Sequence, residues 1–133
     1  MALIKWKNEF SVNISAIDTQ HKKLIEIIND LHAAMSAGKA NDALREIFAK
    51  LAAYTKEHFA YEEQLFSKYA YASSVQHKSS HSKLISQLKE LENQVLRGQM
   101  VSLKTYNFLK LWLTEHILKE DKQYVEFLSE KVR

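Results

Sequence analysis

The sequence predicts an all-α protein, an antiparallel four-helix bundle in up-down-up-down order with an extended N-terminal arm. The 133-residue chain has no proline and only two glycines, so few positions force a helix to end or permit the left-handed turns of β-hairpins. Apolar residues recur at alternating spacings of three and four along four long segments. Short links between these segments make consecutive helices antiparallel neighbours, and we expect one domain over residues 1–133.

Each predicted helix is bounded by recognisable residues. We expect Ser15 to cap the start of the first helix and Gly38 to follow its end, while Gly98 follows the end of the third. Residues 1–14 are rich in apolar side chains without a helical period, which indicates an arm lying across the bundle. The predicted helices cover about 16–37, 41–71, 74–97 and 102–130.

Composition excludes several classes of protein. The charge is +3, and the short lysine runs stand beside acidic residues, unlike the basic stripe of a nucleic-acid-binding protein. No apolar run is long enough for membrane insertion. The chain has no cysteine, which excludes disulfides, thiolate nucleophiles and iron–sulfur clusters and fits a reducing compartment. We expect a cytoplasmic monomer with no nucleic-acid partner.

Several polar residues stand on the apolar stripes of the predicted helices, where burial is costly unless each is paired or bound to a metal. These residues are His21, His58, Glu62, His77, His81, His116 and Asp121. A lone histidine on an apolar face is more often a core residue than a metal ligand. Five histidines on four facing stripes are hard to satisfy in that way, so the set predicts a metal site.

Spacing supports a shared site for most of these residues. His58 and Glu62, like His77 and His81, are four residues apart and therefore face the same side of a helix. His116 and Asp121 are five apart, which is unfavourable on a regular α-helix. Asp121 reaches the same site only if the turn after His116 is loosened, as in a π-bulge or a break.

The number of donors indicates two metal ions. Five imidazoles and two carboxylates exceed the four ligands of a tetrahedral zinc site. With both carboxylates and one solvent-derived oxygen as bridges, three histidines complete one ion and two leave the other with a vacant position. Imidazole and carboxylate without sulfur suit iron, among other metals. A single vacant position predicts a site for a small ligand.

Two common metal motifs are missing. No glutamate is followed three residues later by histidine, as in ferritin-like di-iron proteins, and no His-Glu-x-x-His of zinc proteases occurs. The ordered set of a single histidine, H-x-x-x-E, H-x-x-x-H and H-x-x-x-x-D instead resembles the hemerythrin family, specifically its single-domain bacterial members. The resemblance covers essentially the whole chain and fills all seven ligand positions.

This resemblance implies a non-haem di-iron centre that binds O2 reversibly for storage or delivery, and no enzymatic activity. It assigns His77, His81 and His116 to one iron and His21 and His58 to the open iron. Glu62, Asp121 and an oxo or hydroxo group would bridge the two irons. The resemblance also suggests residues around the O2 pocket, which are Leu24, Phe59, Trp112, Leu113 and Tyr124, the last resembling a family tyrosine that stands behind the ligands. The imidazole N–H groups need acceptors, for which Glu57 and Glu115 are candidates.

Three other functions remain open at this point. The same centre could sense O2, NO or redox state through a partner protein. It could also act as a peroxidase or an NO-reducing enzyme. A helical interaction protein with opportunistic metal binding is the third alternative. If the chain delivers O2, the recipient we expect is an oxygen-consuming enzyme.

Overall fold

The computed structural model describes residues 4–38, 41–98 and 103–131, and its framework is four long helices. These are α1 (Ser15–Ser36), α2 (Asn41–Tyr69), α3 (Ser74–Leu96) and α4 (Leu103–Glu115). The chain continues from α4 through a π-helical turn (His116–Glu120) and a 3-10 turn (Asp121–Tyr124) into the short helix α5 (Val125–Leu128). These ranges contain no strand, which confirms the all-α prediction.

Contacts between α1 and the last helical segment show that the two run in opposite directions. His32, late in α1, has its ring 5.0 Å from that of Tyr106, early in α4. His21, early in α1, lies against Asp121, beyond the end of α4, with 3.0 Å between His21 Nε2 and Asp121 Oδ2. These contacts fit the antiparallel four-helix bundle expected from the sequence.

Residues with positive φ end three of the helices. Gly38 and Gly98 have φ of +65° and +83° and donate their backbone N–H groups to the carbonyls of Met35 and Val95. The second helix, expected to reach residue 71, ends at Tyr69 because Ala70 is left-handed, with φ of +56°.

The start of α1 differs from the prediction. Ser15 is the first helical residue, Ile14 occupies the N-cap position, and no side chain caps the helix there. The Asp18 carboxylate holds the arm instead, since it accepts hydrogen bonds from the Val12 N–H (2.8 Å) and the Ser11 hydroxyl (2.6 Å). The expected serine cap is therefore wrong, because the acidic side chain in the first turn satisfies the preceding loop rather than the helix.

The N-terminal arm lies against the bundle and contains a 3-10 helix (Asn8–Phe10), so it is less extended than predicted. Asn29 of α1 exchanges two side-chain hydrogen bonds with the backbone of Ile4, of 3.0 and 2.8 Å. Lys122 donates to the Ser11 carbonyl over 2.8 Å and joins the arm to the segment after α4. Residues 1–3 and the predicted helix start at 102 lie outside the described residues.

Buried side chains form two apolar clusters along the bundle. On α1, Leu24 belongs to the larger cluster and Ile17 to the smaller one, with buried His21 between them. Tyr71 and Tyr124 complete the smaller cluster. Within the part of the chain that the structure describes, every helix is too short or too polar to cross a bilayer.

Candidate metal centre

The seven polar residues predicted on the apolar stripes converge in the bundle interior. Each has at most 5% of its surface exposed. They come from α1, α2, α3 and the segment after α4, and comprise His21, His58, Glu62, His77, His81, His116 and Asp121. The ligand atoms form two groups that share Glu62 and Asp121, and the atoms of each group lie within 4.8 Å of one another.

The π-helical turn brings His116 and Asp121 to the same face. In this turn the backbone hydrogen bonds span five residues instead of four, as from the Asp121 N–H to the His116 carbonyl, so the turn is wider and residues five apart come close to the same face. His116 opens the turn and Asp121 follows its last residue, Glu120. The loosened turn that the spacing of five required is therefore confirmed.

The carboxylate of Asp121 divides its two oxygens between different histidines. Its Oδ1 atom lies 2.9 Å from His77 Nε2 and 3.0 Å from His116 Nε2. Its Oδ2 atom lies 3.0 Å from His21 Nε2 on the opposite side. Two ligand atoms bound at right angles to one ion by bonds of about 2.1 Å lie about 3.0 Å apart, so these separations suit shared coordination.

The two carboxylate oxygens of Glu62 also lie near different histidines. Its Oε1 atom lies 3.1 Å from His81 Nε2, and its Oε2 atom lies 3.6 Å from His58 Nε2. Together the two carboxylates present one oxygen each to the group of His77, His81 and His116 and one each to the pair of His21 and His58. Both are thus placed to bridge two ions.

Hydrogen bonding within the protein leaves this cluster unsatisfied. The Nε2 atoms of all five histidines are buried, and even those about 3 Å from a carboxylate oxygen lack the geometry of a hydrogen bond. The same holds for Glu62 Oε1 and both oxygens of Asp121. Buried polar atoms normally have partners, and a group of convergent exceptions requires an explanation. Two cations between these atoms would satisfy them, so the residues present fit a two-metal centre.

Electrostatics keep the carboxylates ionised. Burial alone would raise the pKa of Asp121, but the adjacent histidines, His116 first, hold that pKa well below its usual range. Burial alone would lower the pKa of His116, but the carboxylates of Asp121 and Glu120 outweigh it and raise the pKa to about 10. A metal ion entering this group must therefore displace a proton from His116.

Three comparisons with known proteins bear on this centre. Residues 12–128 match the family model described as the hemerythrin HHE cation binding domain. The chain belongs to the hemerythrin family. It is 36% identical over 126 residues to a bacteriohemerythrin of Pseudomonas aeruginosa (strain LESB58), covering 95% of this chain and 82% of that protein.

Other hemerythrins match over nearly their whole length. A bacteriohemerythrin of Methylococcus capsulatus is 34% identical over 131 residues, which cover 97% of this chain and 99% of that one. The crystal structure of a wild-type hemerythrin superimposes with a TM-score of 0.89 at 33% identity, covering 96% and 99% of the two chains. The predicted hemerythrin resemblance is thus confirmed.

In this hemerythrin chain, three of the five candidate ligand histidines donate a hydrogen bond from Nδ1. The sequence did not predict their acceptors. His58 donates to Gln20 Oε1 over 2.6 Å and His81 to Glu63 Oε2 over 2.9 Å. His116 donates to Glu120 Oε2.

The suggested acceptors Glu57 and Glu115 are exposed, and neither makes such a bond among the described residues. The spacing of four between His116 and Glu120 was the available signal. Gln20 and Glu63 have no comparable pattern, since their partners lie on other helices.

A small apolar cavity adjoins the His21 and His58 side of the hemerythrin centre. Four of the residues suggested for an O2 pocket line it, along with Leu84, which the sequence analysis had not named for the pocket. These four are Leu24, Phe59, Trp112 and Leu113. Leu84 stands three residues after His81 on α3, a helical spacing that was visible in the sequence.

Tyr124 does not line this cavity, which corrects its assignment to the pocket. Its hydroxyl donates to Glu62 Oε2 over 2.5 Å, and its ring lies in the smaller apolar cluster. The 3-10 turn directs it there, three residues after Asp121. Burial and the nearby carboxylates raise the pKa of Tyr124 well above its usual value, so it stays a donor to Glu62.

We expect the metal-free protein to lose stability as the pH falls from about 6.5 towards 4. Burial lowers the pKa of His58 to about 4, against the opposing attraction of Glu62. Between this value and the unfolded pKa near 6.5, the unfolded chain binds a proton that the folded chain does not. The His58 contribution of about 3 kcal/mol is therefore present above pH 6.5 and lost as the pH falls through 4.

Urea unfolding of the metal-free protein at several pH values measures this loss. His58→Gln removes the titrating group, so the stability difference between wild type and variant should change over this pH interval. A difference independent of pH would contradict the prediction.

Proposed function

We propose that this chain is a di-iron protein that binds O2 reversibly and serves in O2 storage or delivery. The observation that carries the proposal is the set of five buried Nε2 atoms without partners, arranged around two carboxylates that each face both groups. His77, His81 and His116 would hold one iron, and His21 and His58 the other. Glu62 and Asp121 would bridge them together with an oxo or hydroxo group.

The chemistry of the donors is compatible with iron. Imidazole and carboxylate ligands without sulfur suit iron among the transition metals. Iron held by these residues would supply reversible electron exchange with O2. The cavity is lined by both histidines of the two-histidine side and by His116 from the other side. The donor set of the two-histidine side leaves a position for a small ligand.

The surroundings of the cavity favour reversible binding over oxygen activation. Among the described residues, its lining is histidine, phenylalanine, tryptophan and leucine, with no carboxylic acid, lysine, serine or tyrosine. Such a lining excludes water and supplies no acid to protonate and cleave an O–O bond. Of the residues that the structure describes, two carboxylates, Glu62 and Asp121, belong to the ligand groups. Two carboxylates would give less stabilisation to highly oxidised iron than a carboxylate-rich site would. We therefore propose a carrier rather than an enzyme.

We propose a monomer in the cytoplasm that passes O2 to an oxygen-consuming enzyme.

An oxygen electrode tests the function directly. The iron-loaded, reduced protein should take up one O2 per two irons and release it when argon sweeps the solution. Uptake that continues beyond this ratio in the presence of a reductant would show an oxidase and overturn the proposal. Uptake at this ratio without release would exclude a reversible carrier.

Replacing Leu113 by alanine should speed oxidation of the O2-bound protein in air, because a larger cavity admits water. Leu113 is 3% exposed and lines the cavity. Loss of stability by about 2–5 kcal/mol is expected as for other buried leucines. Leu109→Ala is the matched control, since Leu109 is buried on the same helix and does not line the cavity.

Absorbance followed over hours in air measures this oxidation. The Leu109 variant should lose similar stability without the faster oxidation. Equal oxidation rates in both variants would remove Leu113 from the pocket.

A further inference from the structure

The acceptors behind the histidines differ in charge between the two sides of the centre. On the three-histidine side, His81 donates to the carboxylate of Glu63 and His116 to that of Glu120. On the two-histidine side, the acceptor of His58 is the neutral amide oxygen of Gln20, 2.6 Å away.

The other imidazole of the two-histidine side, that of His21, has no acceptor behind it among the described residues. His21 Nδ1 is buried without a hydrogen-bond partner. Two negative charges thus stand behind one side of the centre, while the acceptor identified on the other side carries no charge.

The carboxylate of Glu120 is held firmly in place. It accepts a second hydrogen bond, from the Ser80 hydroxyl over 2.5 Å. Glu63 is 34% exposed and Glu120 39% exposed as side chains, yet each lies in direct contact with its imidazole.

Such an acceptor changes what the opposite ring nitrogen can do. An imidazole whose N–H donates to a carboxylate gains electron density, so its other nitrogen becomes a stronger ligand. Added negative charge also stabilises the more highly charged state of a bound ion. A neutral amide fixes the orientation of the ring with much less of either effect.

We propose that Glu63, Glu120 and Gln20 are positioning residues that make the two metal positions unequal. The three-histidine position binds its ion more tightly and oxidises at the lower potential. The two-histidine position, beside the cavity, holds its ion more weakly and favours the reduced state. This inference rests on the two-metal centre proposed above, and it does not depend on reversible O2 binding.

Titration of the metal-free full-length chain with Co²⁺ under argon tests the inequality of affinity. Wild type should bind two ions in a tight step and a weaker step. Glu63→Gln and Glu120→Gln should each weaken the tight step by about 10-fold or more. Gln20→Glu should strengthen the weaker step by a similar factor, a gain that damage to the fold would not produce.

Matched controls are available at neighbouring positions. Glu57 and Glu115 directly precede His58 and His116, are exposed and contact neither imidazole among the described residues. Glu57→Gln and Glu115→Gln make the same chemical change and should leave both steps unaltered. Shifts in these controls equal to those of the Glu63 and Glu120 variants would overturn the inference.

Spectroelectrochemistry of the iron-loaded protein gives an independent readout. Glu63→Gln and Glu120→Gln should raise the lower of the two midpoint potentials, whereas Gln20→Glu should lower the higher one. All three changes narrow the gap between the two steps. Movement of the same step by Gln20→Glu and Glu120→Gln would contradict the assignment.

A wild-type protein that binds fewer than two Co²⁺ ions would overturn both the centre and this inference. Two bound ions with unshifted variants would overturn the inference alone.

Discussion

Replacing Glu62 by alanine is expected to abolish the binding of both metal ions. Its two oxygens face different groups of histidines, so one truncation removes a ligand from each ion. The metal-free variant should also be less stable by about 3–5 kcal/mol, because buried imidazoles lose a partner. In addition, the Tyr124 hydroxyl loses its acceptor. Metal content per chain and urea unfolding of the metal-free forms measure the two effects.

Glu46→Ala serves as the control for this experiment. Glu46 is exposed on the same helix, so its replacement should leave two ions per chain and nearly unchanged stability. An alanine variant of Glu62 that still bound two irons would show that Glu62 does not bridge them.

Removing the metal should lower the melting temperature by tens of degrees in total. The ligands come from α1, α2, α3 and the segment after α4, so two ions would cross-link the bundle. An ion at 1,000 times its dissociation constant stabilises the folded state by about 4 kcal/mol. For a chain of this length that corresponds to about 10–15 °C per ion.

Scanning calorimetry of the same preparation with and without metal measures this shift. Glu62→Ala should show no shift on addition of metal, which separates specific binding from a general effect of the ion. Equal melting temperatures of the metal-free and metal-loaded wild type would contradict a centre that joins the helices.

The spacing of ligands could be predicted because it follows from helical geometry. His58 and Glu62 share a face at four residues apart, and a spacing of five between His116 and Asp121 required a loosened turn. The π-helical turn supplies it. An unfavourable pattern in the sequence thus located an irregular turn in the structure, since burying these polar groups together outweighs regular helical bonding.

Helix ends were harder to predict because tertiary contacts decide them. Serine is a common N-cap residue, yet Ser15 does not cap α1. The Asp18 carboxylate instead accepts hydrogen bonds from the preceding loop. Ala70 gives no local signal for a left-handed conformation. It adopts one where Tyr71 donates its N–H to the Phe66 carbonyl over 2.9 Å and packs in the smaller cluster.

The hydrogen-bond acceptors of the ligand imidazoles were the part of the site that was hardest to predict from the sequence. Gln20 reaches His58 from α1, and Glu63 reaches His81 from α2, so both contacts depend on how helices are rotated against each other. A single sequence carries little information about that rotation. For this reason the sequence pointed to Glu57 and Glu115 as acceptors, whereas the structure has Gln20 and Glu63.

The absorption spectrum of the iron-loaded protein is the most direct test of reversible O2 binding. The protein is reduced with dithionite, desalted, and measured under argon, then in air, then under argon again. Reversible O2 binding at a di-iron centre predicts charge-transfer bands that appear with O2 and vanish without it. Bands that persist under the second argon atmosphere, or no bands with two irons bound, would contradict reversible O2 binding at this centre.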